Sequence, residues 1–365
     1  MDRAKDKKKG RRSSNSNASG KNKYAAPRRS QACGDLMQQL ADLLKRHNGT
    51  RVGSTASVSK ATADKRWKDL FAGFRLLRKL GMKLEKPESF DGRHMQALVA
   101  AWVEAGLSAS TITNRISSFR IFSQWIGKKG MVELAARYVS DPSLVRRTSV
   151  ATEDKSWSAK GIDAAALIEQ VRLHSVRVAT ALELQLGLGL RMRESLLTKP
   201  HLADMGNVMD VYRGVKNGRR RMVRIDTEAA RLALDRAKAV VSAMDESVAG
   251  PVTDGTWAQV RNRYYAVMRQ VGITRKDLGV VSHMLRHENA NDLFARLAGY
   301  ASPVRGGPVP ADPVVESYAR AELAEHLGHS RPRITTHYVG RAKRPAEAKA
   351  KGKEKKVDND EAVEK

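Results

Sequence analysis

The stretch 208-VMDVYRGVKNGRRRMVRI-225 changes the rhythm of the chain around it. Apolar and polar residues alternate on both sides of Asn217-Gly218, the period of strands that bury one face. Asn-Gly is the strongest short hairpin signal, because both residues tolerate the positive φ of a tight turn. Helical patterns run up to Leu197 before this stretch and return from Trp257 after it. The expected fold is therefore mainly α with a small antiparallel β-sheet, the sheet lying inside a helical block at 162–341.

A second helical block is expected at 33–140. Within it, 62-TADKRWKDLFAGFRLLRKLG-81 places Trp67, Leu70, Phe71, Phe74 and Leu77 on one stripe, with Gly81 as a natural stop. The stretch 108-SASTITNRISSFRIFSQWIG-127 opens on Ser/Thr capping candidates and repeats Ile112, Ile116, Phe119 and Phe122 on one face. Arg115, Arg120 and Lys128 are then expected to face water or phosphate. Residues 1–32 are rich in Lys, Arg, Ser, Asn and Gly and hold too little apolar surface to offset the entropy of ordering, so they read as a disordered basic arm. Residues 141–161 are polar and aperiodic, as an interdomain linker would be. Residues 342–365 alternate Ala, Lys and Glu and read as a charged tail.

Lys and Arg number 67 against 39 Asp and Glu, a net charge of +28 over 365 residues. Such an excess repels itself unless a polyanion is present, and double-stranded DNA is the expected partner ahead of an anionic membrane surface. No apolar run approaches the roughly 20 residues of a membrane span, and the basic N-terminus lacks the apolar core of a secretory signal. The single cysteine, Cys33, excludes an internal disulfide and fits a reducing cytoplasm.

Four places could carry chemistry. Arg191 follows a Gly-Leu pair, with Glu194 one turn on; alone this reads as a surface ion pair. Lys216 lies beside the hairpin turn, where a projecting tip could enter a DNA groove, and alone reads as a solubilising lysine. In 282-SHMLRHENANDLFA-295, His283, Arg286 and His287 share one helical face, while Leu285 and Leu293 point toward a core. Three potentially cationic groups on one face make sense if an anion lies between them. In 321-AELAEHLGHSRPRITTHYVG-340, His326 and His329 have metal-like spacing, but no Cys, Asp or Glu cluster completes a site, and no metal or cofactor is expected. Packing is the default for His326 and His337, and a core role is the bland reading of Tyr338.

In chain order these places resemble the catalytic set of the tyrosine site-specific recombinases, the integrases of phages and mobile elements. The matching motifs are 189-GLRMRE-194, Lys216 in its hairpin, 283-HMLRH-287, 327-LGHS-330 and 335-TTHYV-339. The resemblance spans the second block and, more loosely, the first, which is similar to the family's helical core-binding domain. The chain departs from the family pattern at Leu188, where Thr is frequent, at Arg193, where a small residue is usual, and in a Gly/Pro-rich insertion at 299–313.

The chemistry fits that resemblance. Breaking and resealing a phosphodiester without an external energy source requires a covalent intermediate, and a phenol is a suitable nucleophile. Tyr338 is expected to form a 3′-phosphotyrosine, with Arg191 and Arg286 clamping the non-bridging oxygens and supplying the positive charge that a metal would bring. His329 would donate a hydrogen bond to the phosphate, His283 would accept or relay the phenolic proton, and Lys216 would protonate the leaving 5′-oxygen. The resemblance gives Glu194 an orienting role and makes His287 a supporting residue. It also implies a homotetramer assembled on DNA from free monomers, association with the nucleoid, and a directionality or host accessory factor. Two rival readings are a non-catalytic DNA-binding accessory protein on the same fold and a type IB topoisomerase.

Overall fold

The computed structural model describes residues 29–244, 251–309 and 312–342. Most of the arm, 1–28, and nearly all of the charged tail lie outside the described residues. The chain divides into two compact units, Met1–Thr148 and Ser149–Lys365.

The first unit is helical: α1 (Arg29–His47), α2 (Lys60–Lys79), α3 (Gly92–Glu104) and α4 (Ala109–Trp125). Residues 29–32, expected to end the arm, belong to α1. Ser59 caps α2 and Ser108 caps α4, each hydroxyl accepting from a backbone N–H in the first turn. The expected stripes are the buried ones. Leu70, Phe74 and Leu77 of α2 meet Ile112, Ile116, Phe119 and Phe122 of α4 in one core. Phe74, Phe90, Phe119 and Phe122 form a ring cluster with centroids 5.1–6.3 Å apart, and burying each such side chain contributes roughly 1.5–3 kcal/mol. The basic positions differ from expectation. Arg120 donates to Val132 O and Glu133 O, Lys128 donates to Glu88 O (2.7 Å) and Phe90 O (2.8 Å), and Arg115 lies over the Trp102 ring. Arg120 and Lys128 thus satisfy loop carbonyls beside the helix, among them those of buried Val132 and Phe90.

The second unit holds α5 (Ala164–His174), α6 (Val176–Leu188), α7 (Met192–Leu197), α8 (Pro200–Ala203), β1 (Val208–Val211), β2 (Arg221–Arg224), α9 (Glu228–Met244), α10 (Trp257–Gln270), α11 (His283–Ala298), α12 (Pro313–His326) and α13 (Thr336–Val339). Helix α6 packs against α5, α7, α9 and α11, and buries residues nearly all round. The fold is thus mainly helical with one small antiparallel sheet, as the change of period implied.

The hairpin is not the tight Asn-Gly type. Val208 pairs with Arg224 and Val211 with Arg221, a register centred on Lys216, and Lys216–Gly218 form a 3₁₀ turn. The connection leaves the ladder early because Gly214, at φ 70°, passes against the start of α7. A Cβ there would lie 2.5 Å from Arg193 O.

The expected linker is only partly one. From Ser149 onward it belongs to the second unit. Trp157 is fully buried in that unit's core, its indole N–H donates to Val281 O, and its backbone N–H donates to Glu288. Ala151 N donates to Thr336 O at 2.8 Å, tying the segment to α13.

Candidate active site

Arg191 precedes α7, its backbone N–H donating to Glu194 Oε2 at 2.8 Å, so Glu194 closes the first turn of the helix. The Arg191 side chain donates to Glu194 Oε1 (2.7 Å) and to Leu327 O (3.1 Å). Arg286, fully buried on α11, donates to Gly189 O, to Leu327 O and, through Nε, to the Tyr338 hydroxyl at 3.3 Å. Helix α12 ends at His326, so the next carbonyls lack helical partners. The guanidinium groups supply them, and Leu327 O is shared by the two arginines. This explains why a Leu-Gly-His turn, otherwise featureless, belongs to the site.

Tyr338 lies on α13, mostly buried. Its hydroxyl is 3.4 Å from His329 Nε2, and Arg286 lies over its ring at 5.7 Å. His283 and His287 flank the ring at centroid distances of 6.3 and 4.7 Å. Six sequence-predicted residues, Arg191, Glu194, His283, Arg286, His287 and His329, thereby gather around Tyr338 or its arginines. The imidazole within hydrogen-bond reach of the phenol is His329, not His283, the residue expected to take its proton. The remaining predicted residue, Lys216, is exposed.

The imidazoles are not the cationic cluster that spacing implied. Burial, reinforced by the charges of Arg286 and Arg191, lowers His283 to about 4 and His329 to about 4. Burial and the neighbouring His283 lower His287 to about 3. Burial and the guanidinium charges thus favour the neutral imidazole at all three at pH 7, which leaves the arginines as the positive charge. Burial would raise the Glu194 carboxyl, but Arg221, Arg191 and Arg286 pull it down to about 2. Burial lowers Arg286 to about 10, still cationic at neutral pH.

His326 is packed, its Nε2 3.2 Å from Asn289 Oδ1, while Asn289 donates to Leu186 O and Gly187 O at the end of α6. Among the described residues no group of three His, Cys, Asp or Glu could hold a metal, and no helix is long and apolar enough to cross a membrane.

Sequence reasoning missed Arg221. It is buried on β2 and donates to Glu194 Oε1 (3.0 Å), Glu194 Oε2 (2.8 Å) and His326 O (2.8 Å). The available signal was its place two residues before buried Val223, on the core face of a period-2 strand. Its neighbour Arg220 instead pairs with Asp210.

Two family descriptions match the chain: "Phage integrase, N-terminal" over residues 37–132 and "Integrase" over residues 145–292. No curated protein matches. The fold is similar to that of a lambda integrase dimer bound to a COC′ core site, with 15% identity, a TM-score of 0.52, and 85% of this chain and 98% of that one covered. It is also similar to the XerH site-specific recombinase bound to palindromic difH substrate, with 14% identity, a TM-score of 0.50, and 86% and 94% covered. A lambda integrase tetramer bound to a Holliday junction matches at 14% identity and a TM-score of 0.51, with 85% and 80% covered. At these identities the solved structures establish the fold. The two sequence matches lie over residues 37–132 and 145–292, and the arginines, histidines and tyrosine recognised in the sequence converge in the second unit. The chain belongs to the phage integrase family of tyrosine site-specific recombinases.

Proposed function

We propose that this protein cleaves and rejoins duplex DNA at specific sites through a 3′-phosphotyrosine intermediate, in the integration or excision of a mobile element. The observation that carries the reading is the Tyr338 hydroxyl, 3.3 Å from Arg286 Nε and 3.4 Å from His329 Nε2. A phenol held between a fixed guanidinium and a neutral imidazole is placed to attack a phosphate that the guanidinium binds.

In the forward step the phenolic oxygen forms a bond to the scissile phosphorus, the bond from phosphorus to the 5′-oxygen breaks, and the phenolic proton passes to His329. Lys216, carried in on its loop, gives a proton to the departing 5′-oxygen. The products are a 3′-phosphotyrosine and a free 5′-hydroxyl, and reversal by a hydroxyl from another strand completes exchange. Arg191 and Arg286 stabilise the charge that grows on the non-bridging oxygens. Removing one such donor costs about 2.7–4 kcal/mol, or roughly 10²–10³ in rate. His283 and His287 wall the tyrosine with neutral, aromatic surface. Exchange between two duplexes calls for four cleavages, hence four copies on DNA assembled from monomers, and the similarly folded lambda integrase dimer and tetramer, each bound to DNA, support assembly on DNA. A directionality or host factor would choose between integration and excision, and the protein would act at the nucleoid in the cytoplasm.

The test is a nicked suicide duplex carrying the site that the protein selects from a random-sequence library. Wild-type protein should give a covalent protein–DNA adduct on a denaturing gel. Tyr338→Phe should bind the same duplex and give none. An adduct formed by the Phe variant would remove Tyr338 as nucleophile. Relaxation of supercoiled DNA without site preference would favour a topoisomerase.

A further inference from the structure

We infer that Arg221 is a positioning residue for strand cleavage, fixing the Glu194 carboxylate so that the Arg191 guanidinium stays turned toward the scissile phosphate. This role rests on the functional reading above. A carboxylate offers about four lone-pair sites, and four donors reach Glu194. Two come from Arg191, its backbone N–H to Oε2 (2.8 Å) and its Nη1 to Oε1 (2.7 Å). Two come from Arg221, Nη1 to Oε1 (3.0 Å) and Nη2 to Oε2 (2.8 Å). The orientation of a fully buried carboxylate is thereby over-determined.

The remaining nitrogen of Arg221, Nε, donates to His326 O at 2.8 Å. That carbonyl precedes Leu327, whose own oxygen accepts from Arg191 and Arg286. One side chain therefore joins the start of α7, which presents Arg191, to the turn after α12, which presents His329. Gly328 leaves room for it, since a Cβ there would lie 2.9 Å from Arg221 Cδ. Arg221 itself is only 3% exposed, so it acts through its partners rather than on DNA.

Charge points the same way. Glu194 is one carboxylate among the guanidinium groups of Arg191, Arg221 and Arg286. With Arg221 in place, two positive charges remain uncompensated for the phosphate. Without it, Glu194 has Arg191 as its one direct ion-pair partner, so one net positive charge rather than two is left for the phosphate, and Arg191 is held toward the carboxylate instead of DNA. Lysine cannot substitute, because one ammonium cannot hold both carboxylate oxygens and the His326 carbonyl in fixed directions.

The test compares full-length wild type, Arg221→Ala, Arg221→Lys and Arg191→Ala on two suicide duplexes. One carries the natural scissile phosphate. The other carries a methylphosphonate there, which lacks the charge that the arginines stabilise. Both Arg221 variants should bind DNA as wild type does and cleave the phosphate more slowly, on the order of 100-fold for alanine. On the methylphosphonate the gap to wild type should shrink to a few-fold, with Arg191→Ala showing the same pattern. Equal slowing on both substrates, the mark of a merely weakened fold, would overturn the inference, as would unchanged cleavage of the phosphate. If Arg221→Ala lacks a cooperative melting transition, Arg221→Lys carries the comparison. Absence of any Tyr338-dependent adduct from wild type would overturn the functional reading and this role together, whereas a Tyr338-dependent adduct with equal slowing overturns this role alone.

Discussion

Lys216 is the proposed catalytic group that stands apart, exposed on the loop between β1 and β2. If it protonates the 5′-oxygen, its importance must depend on how basic that oxygen is. A 5′-bridging sulfur leaves without a proton. Lys216→Ala should therefore be severely slow on ordinary DNA, yet cleave the 5′-bridging phosphorothiolate nearly as fast as wild type. Arg286→Ala should not recover to the same degree, because charge on the non-bridging oxygens still needs stabilising. Equal slowness of Lys216→Ala on both substrates would reduce it to a DNA contact. The other basic residues of the loop are arginines, and a guanidinium gives up its proton too reluctantly near neutral pH to replace it. The histidines make a separate prediction. His283, His287, His326 and His329 are held at about 4, 3, 3 and 4 in the folded protein, against about 6.5 for an unperturbed imidazole. Between those values the unfolded chain binds more protons, so their contribution to stability is full above about pH 6.5 and is lost as pH falls toward 4. The urea midpoint should drop between pH 7 and pH 5, and the drop should be smaller in His326→Gln. A midpoint constant over that range would show that these imidazoles are not buried neutral.

At the scale of elements, the loop after β1 and the start of α7 form one joint. Gly214 passes within van der Waals range of Arg193, and its φ of 70° suits glycine. Gly214→Ala should destabilise the protein by about 1–3 kcal/mol, seen as a lower Tm. It should also slow cleavage, because the displaced backbone carries Arg191 and Glu194. Unchanged cleavage with a lower Tm would uncouple the joint from the site. Within the expected insertion, the segment around Ser302 and Arg305 is likewise anchored. Arg305 pairs with Asp154 (2.8 Å) and with Asp292, and Ser302 donates to Asn291. These bonds hold that segment and the stretch after Ser149 against α11, the helix of Arg286. Polar, aperiodic sequence concealed that packing, because ion pairs and one buried tryptophan leave no hydrophobic period.

At the scale of the whole molecule, the excess of basic residues is the property most exposed to experiment. Among the positions first expected to face phosphate, Arg115, Arg120 and Lys128 have partners within the first unit. More of the salt-sensitive affinity should then come from elsewhere, including the basic arm. Deleting residues 1–28 should weaken DNA binding and flatten the plot of log affinity against log salt, by about 0.9 for each phosphate no longer neutralised. Cleavage of an already bound site should be largely intact. An unchanged slope, measured by titration at several salt concentrations, would mean that the arm does not engage DNA.

The sequence by itself determined the two helical blocks, the small sheet between helices, and the candidate set Arg191, Glu194, Lys216, His283, Arg286, His329 and Tyr338. Periodicity reports burial of local faces, and motifs keep their order along the chain, so both are readable without coordinates. Tertiary structure alone decided the rest. It replaced a tight Asn-Gly turn by a longer loop, because Gly214 meets a helix distant in sequence from its own strand. It made the histidines neutral, since burial and neighbouring guanidinium charge come from residues scattered over the chain. It brought Arg221 to Glu194, 27 residues away, and to His326, 105 residues away. Only the folded chain brings such partners together, and a buried charge owes its role to the partners around it.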